Sequence, residues 1–380
     1  EEHVKDITYI ATLAAYVHWQ LTGEKVVGIG EASGMFPIDS TINDYDAQML
    51  EKFDKQTDSL GFTQKAADIL PKVLVAGDAA GILSAEGAKL IDPSGEFEAG
   101  IPMCAPEGDA GTGMVATNSV AERTGNVSAG TSIFLMAVLE KSLSKLYPEI
   151  DMVTTPSGKP VAMVHCNNCS GEIDAWANMF ASFCKAMGME VSIYKVLDKI
   201  FETAMAGDKD CGGLVAYNYL SGEVITGLDS GKPLFFRGPD SKFTLENFTR
   251  AQLCSAAATL SIGMEILADE NVKLDKLLGH GGYFKAPLAG QKIMSAALGA
   301  PVSVMKTAGE GGPWGVAILA NYMLNKANGE TLEAYLDSKV FAGQDSTEVY
   351  PDPEDIAGFN AFLDNYKKGL AAEKAAVEAF

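Results

Sequence analysis

With 380 residues the chain is long for a single hydrophobic core, so two domains are expected. Its 47% hydrophobic and 8% aromatic residues are ordinary for a globular protein, and no run approaching 18 apolar residues is free of charge, which argues against a membrane span. Fifty acidic residues against 29 basic ones leave a net charge of −21; such a surface repels nucleic acid and anionic membranes, and any phosphate must be held locally by backbone N–H groups, a few cations or a metal.

The opening "EEHVKDITYIATLAAYVHWQ" lacks the basic stretch and apolar core of a signal peptide and reads as an amphipathic helix over 5–22. A second helix is expected at 46–56, then a strand at 72–76. "GIPMCAP" can form a short strand, which places Asp109 just beyond a strand end with helix-compatible "MVATNSVA" after it. Strand-like runs follow at 126–140 and 159–166, a long helical pattern at 172–207, a strand at 212–220 and an apolar helix at 244–268. The remainder alternates strand 276–282, helix 286–298, strand 301–306 and helices 312–326 and 353–378, whose Ala/Glu/Lys-rich end is expected to face solvent. Strands mixed with long helices indicate an α/β protein. Because strands are few before the turn-rich "VAERTGNVSAG" and frequent after it, the boundary between two domains, 1–118 and 119–380, is set there.

Six cysteines are scattered without a disulfide framework, and Cys184 and Cys254 fall in apolar helical runs, as buried thiols do. "HCNNC" at 165–169 has metal-ligand spacing but no second ligand pair, so zinc is not expected. This cysteine usage suits a reducing, cytoplasmic compartment.

Three glycine-rich turns could hold chemistry. In "APEGDAGTGM" Asp109 stands among Gly108, Ala110, Gly111 and Gly113, either as a helix N-cap followed by flexible glycines or as a carboxylate that a ligand approaches closely. "VSAGTSIFLMAV" carries Gly130 and Thr131 at a strand–strand turn, which is either a plain hairpin or a phosphate contact made by N–H groups and a hydroxyl. "LLGHGGYFKAPLAGQKIMSAALG" runs strand, Gly281–Gly282, helix, with Pro287 suited to the helix's first turn; this order presents helix N–H groups to an anion or bare backbone to a flat ring. It is neither a P-loop nor a dinucleotide fingerprint. A further cluster, "AGEGGPWGVAILA" (308–320), opens the next helix and could flank the same site.

The order of these segments, with "TYIATLAAYVHWQLTGEKVVGIGEASGMFPID" before them, resembles the FGGY family of carbohydrate kinases over residues 5–325. The resemblance implies an actin/Hsp70-like (ribonuclease H-like) ATPase fold with ATP and Mg²⁺ in an interdomain cleft. It makes 1–118 the remainder of a sugar-binding domain and 119–380 a nucleotide-binding domain with a C-terminal helical extension. It implies Asp109 as the general base for a sugar hydroxyl, Gly130 and Thr131 as the phosphate turn, and Gly281, Gly282 and Lys285 as contacts to adenosine. Likeness to the xylulokinase-like branch points to a ketose or related polyol as the small-molecule substrate, and a homodimer as the assembly to test for. The sequence departs from the family pattern at Ala110, where asparagine is common, at Tyr283, where a third glycine often stands, and at Ala286, where serine often follows the lysine. Roughly the first third of a typical member, with its first phosphate turn, is expected to lie outside this sequence. Two rivals remain: "DAGTG" (109–113) as the phosphate turn of an actin-like ATPase, and a nucleotide-binding fragment without kinase chemistry. Metal or redox work at "HCNNC" is a remote third.

Overall fold

The computed structural model describes residues 2–286, 288–305 and 311–380. The first part of the chain comprises α1 (Leu13–Thr22), β1 (Val26–Gly28), α2 (Ile29–Ser33), β2 (Ile38–Asp39), β3 (Asp44–Tyr45), α3 (Ala47–Asp58), α4 (Ala66–Ile69), β4 (Lys72–Leu74), β5 (Ala79–Ile82), α5 (Ala85–Ile91), β6 (Pro102–Cys104) and α6 (Asp109–Ala116). Next come β7 (Thr124–Ala129), β8 (Ile133–Val138), β9 (Ile150–Thr154), β10 (Pro160–Cys166), α7 (Gly171–Ala186), α8 (Ile193–Ala204), β11 (Val215–Tyr217), β12 (Leu234–Phe236) and α9 (Leu245–Asp269). The chain ends with β13 (Lys276–His280), α10 (Ala289–Leu298), β14 (Val302–Met305), α11 (Gly311–Asn325), α12 (Leu332–Tyr335), β15 (Ser346–Val349) and α13 (Pro353–Ala379).

Seven of the nine strands after residue 119 form one sheet in the order β15-β14-β13-β7-β8-β10-β9, and β11 and β12 pair separately. Within it β13 runs parallel to both β7 and β14, and the other pairs are antiparallel. Period-two alternation divides each strand between two cores. On β8, Ile133, Leu135 and Ala137 face a large core shared with α7 to α10 and α13, whereas Phe134, Met136 and Val138 face a smaller one shared with α6, α11 and α12. Helices therefore cover both faces of the sheet. Helix α9 lies in the larger core and is buried along most of its length, polar Gln252, Ser255 and Thr259 included. Small residues permit this: a Cβ on Gly263 would stand 2.4 Å from Val164.

Residues before 105 contain three two-stranded pairs, β1–β4, β2–β3 and β5–β6, over small apolar clusters such as Val26, Leu74, Ala80 and Ala105. They are joined to the large sheet by Thr154 at the end of β9, whose N–H donates to Ser33 Oγ (2.9 Å) and whose hydroxyl donates to the Ile29 carbonyl (3.2 Å).

Three expected helices change shape. The 5–22 pattern yields regular α-helix only from Leu13, because Thr12 caps it through its hydroxyl to the Ala15 N–H (3.3 Å). The 172–207 pattern is two helices, since Gly188 takes a left-handed φ of 80° and the Met189 N–H returns to the Cys184 carbonyl (2.9 Å). The C-terminal stretch is only partly solvent-facing: Glu373 is buried and accepts the Lys232 N–H (2.8 Å). Pro287 and residues 306–310 of the glycine clusters lie outside the described residues.

Candidate active site

Asp109 is the first residue of α6, and Gly108, in extended conformation, is the N-cap. The N-cap alternative is thereby corrected: Asp109 makes no capping bond of its own, and its side chain is exposed. A carboxylate there is favourably placed against the helix dipole. "DAGTG" is the opening of a helix and not a turn between strands, which removes the actin-type phosphate turn as a reading. The small residues around Asp109 have packing partners. A Cβ on Gly111 would lie 3.2 Å from Pro156, and Gly113 looks onto Asn126 of β7. Thr112 receives α11 so closely that a Cβ on Gly315 would meet its carbonyl at 2.0 Å.

Register places two of the three turns at one end of the sheet. In β13, His280 pairs with Ser128, so Gly281 emerges beside Ala129 at the edge that carries the β7–β8 turn. Helix α6 lies against the same sheet, with Gly113 facing Asn126 of β7, and the start of α11 packs on it, since a Cβ on Gly312 would lie 3.3 Å from Thr112 Oγ1.

The β7–β8 turn is more than a hairpin. The Gly130 carbonyl accepts both the N–H (3.0 Å) and the hydroxyl (2.7 Å) of Ser170, and the Thr131 carbonyl accepts the Cys169 N–H (2.9 Å). With its carbonyls tied to the start of α7, the turn leaves Thr131 exposed. Gly281 has φ 101°, and a Cβ there would stand 2.3 Å from the Ala129 carbonyl, so glycine is required by both conformation and space. Gly282 has no atom within 4 Å of a Cβ position; its face is open. It borders a cleft of about 310 Å³ with Lys285, Ser170, Tyr194, Asp174 and Asp198. Burial raises the Asp174 carboxyl above its ordinary range. Tyr283, where the family pattern has a third glycine, is buried under this turn and donates to the Leu253 carbonyl (2.9 Å).

"HCNNC" has a structural task. Cys166 and Cys169 are buried, which pushes both thiols up, Cys169 to about 12. Asn168 Oδ1 accepts the N–H groups of Leu220 (2.9 Å) and Ser221 (3.0 Å). Among the described residues no three His, Cys, Asp or Glu side chains converge on a metal position.

Two groups of site residues were missed in the sequence. Ser170, Asp174 and Asp198 enter the cleft from α7 and α8, remote in the chain from any glycine turn and without local signature. Glu107 stands inside the quoted "APEGDAGTGM", yet its partners are 76 and 77 residues away.

A sheet with helices on both faces, and glycine turns gathered at one strand edge beside a cleft, defines an α/β protein. Residues 125–324 match the C-terminal domain of the FGGY family of carbohydrate kinases, and the chain belongs to that family. It is 22% identical over 356 residues to the xylulose kinase of Haemophilus influenzae, a match covering 94% of this chain and 66% of the relative. Among solved structures it resembles the xylulose kinase of Rhodospirillum rubrum (TM-score 0.75, 16% identity, 98% of this chain and 69% of that one). It also resembles the glycerol kinase of Plasmodium falciparum with ADP (TM-score 0.73, 16% identity, 98% and 68%). The fold is the actin/Hsp70-like one of these kinases. The chain thus spans about two thirds of the length of the proteins it matches.

Proposed function

We propose that this chain carries the catalytic base and the nucleotide cleft of an ATP-dependent sugar kinase. The observation that supports this best is the convergence, by strand register, of Gly130–Thr131 and Gly281–Gly282 at one end of one sheet, with Asp109 exposed at the start of the helix packed on that sheet. Residues 1–118 then form the acceptor side and 119–380 the nucleotide side. A sugar hydroxyl is a weak nucleophile near neutrality, and Asp109 removes its proton as the new bond to phosphorus forms. Thr131 and the backbone of its turn orient the transferred phosphoryl group. The open face of Gly282 receives the adenine ring, Lys285 lies at the cleft edge, and Asp174 or Asp198 is suited to accept hydrogen bonds from ribose hydroxyls or the exocyclic amine. Mg²⁺, when bound, offsets phosphate charge and takes most of its ligands from the phosphates and water. The relatives named as xylulose kinases favour a ketose as acceptor, and six free cysteines fit a cytoplasmic setting.

Ligand-observed NMR of the 380-residue chain with Mg-ATP, with Gly282→Arg as control, tests the nucleotide site. Binding that vanishes in the control is expected; equal binding in both proteins overturns the assignment. ADP release that depends on one member of a ketose panel tests the reaction, and release without any sugar would leave an ATPase or nucleotide-binding fragment instead.

A further inference from the structure

Two residues before Asp109 the chain buries another carboxyl group, Glu107, which the chemistry above does not use. Its side chain lies under the first turn of α2. There Oε1 accepts the Gly30 N–H (3.1 Å) and Oε2 accepts the Glu31 N–H (2.8 Å). The adjacent backbone is held too, because the Gly28 N–H donates to the Pro106 carbonyl (2.8 Å). Space has been left for this group: a Cβ on Gly28 would stand 2.4 Å from Glu107 Oε1, and one on Gly30 would stand 2.6 Å from Oε2. Glu31 reaches back in return, its Oε2 lying where a Cβ on Gly108 would be, 1.9 Å away. The 105–108 turn and α2 therefore grip one another in both directions, with a single glycine between the grip and Asp109.

Burial of a carboxyl group is costly unless its hydrogen bonds are made, and an apolar side chain here would leave two backbone N–H groups without acceptors. Burial pushes Glu107 up to about 8, against the two amide bonds that pull the other way. What the contacts accomplish is mechanical. Packing of α6 on β7 and α11 fixes the helix itself, whereas the 105–108 segment that leads into it belongs to no regular element. Helix α2 is itself tied to β9 through Thr154. Glu107 links the residues just before α6, through α2, back to the large sheet. We infer that Glu107 is a positioning residue for Asp109, holding that carboxylate in place by clamping the 105–108 segment to the start of α2. The inference rests on the reading of Asp109 as the base.

Two substitutions break the clamp from opposite sides. Glu107→Gln keeps the size but turns a donor toward one of the two N–H groups; Gly30→Ala leaves the carboxylate and drives a methyl group into it. In the full-length protein each is expected to lower kcat about 10- to 100-fold, with KM for ATP within about twofold of wild type. Amide exchange over 105–111 should quicken about tenfold while β7, β8 and β13 keep their protection. Wild-type kcat in both variants overturns the inference. So does a parallel loss of ATP affinity and of protection throughout the sheet, which would mean general destabilisation. Should the wild-type protein show no sugar-dependent ADP release, the kinase reading fails, and exchange over 105–111 alone decides the clamp: unchanged rates refute it.

Discussion

The turn before Asp109 and the turn before Gly282 both lead into elements packed on one sheet but are built on different principles. The second is local. Strand β13 delivers Gly281 beside Ala129, and the positive φ and missing Cβ of that glycine suffice to reverse the chain. The first is assembled at long range, from a carboxyl group that accepts two N–H groups of α2, two glycines that make room for it and an acidic side chain returning over Gly108. A backbone turn can be written in a few consecutive residues. A turn that must hold a charged group in open space needs bracing from elsewhere, because no regular element continues through it. The comparison teaches that the turn at Gly281–Gly282 carries its instructions in sequence order, while the turn before Asp109 draws them from the tertiary fold.

Three experiments break or sharpen this contrast. The largest effect is expected from Asp109→Ala, which should reduce turnover by about 10²- to 10⁴-fold and leave Mg-ATP binding intact; steady-state kinetics beside NMR titration will check it, and turnover near wild type would remove the base. Next is Gly281→Ala, whose strained φ and contact with the Ala129 carbonyl should cost about 1–3 kcal/mol in denaturant unfolding. Gly282→Ala, one residue on and facing open space, should change stability little. Equal losses at the two positions would show that the turn is not locally built. The third test concerns pH. Glu107 is raised from an ordinary 4.5 to about 8 in the fold, so the unfolded chain releases this proton first. Its contribution to stability is full below about pH 4.5 and declines as pH rises toward about 8. Melting temperatures of wild type and Glu107→Gln between pH 5 and 8 should therefore converge with rising pH, and parallel curves would contradict the raised value.

Much of the chain after residue 119 was legible from residues alone. The continuous apolar run "IFLMAV" was read as a strand, and strand–Gly–Gly–helix at 276–298 was read with only its boundaries displaced. The break at Gly188 was passed over because apolar residues continue on both sides of it. The small residues after Asp109 were assigned to ligand approach, yet the structure gives several of them packing partners, Pro156, Asn126 and the α11 backbone. Glu107 was passed over inside the very segment that was quoted, since nothing near it in the chain distinguishes a buried acceptor from a solvated glutamate.

By itself, then, the sequence determined the α/β class, the order of the glycine turns and the family they resemble, because turn chemistry and hydrophobic period are properties of neighbouring residues. Only the tertiary structure decided that the β7–β8 and β13–α10 turns share one edge of one sheet, that Cys166, Asn168 and Cys169 of "HCNNC" are buried, and that the segment before Asp109 is tied through Glu107 to α2. Each of these depends on strand register or on contacts between segments far apart in the chain. Such pairings are set by the packing of the whole molecule, where a hydrogen bond over more than 70 residues leaves no local trace.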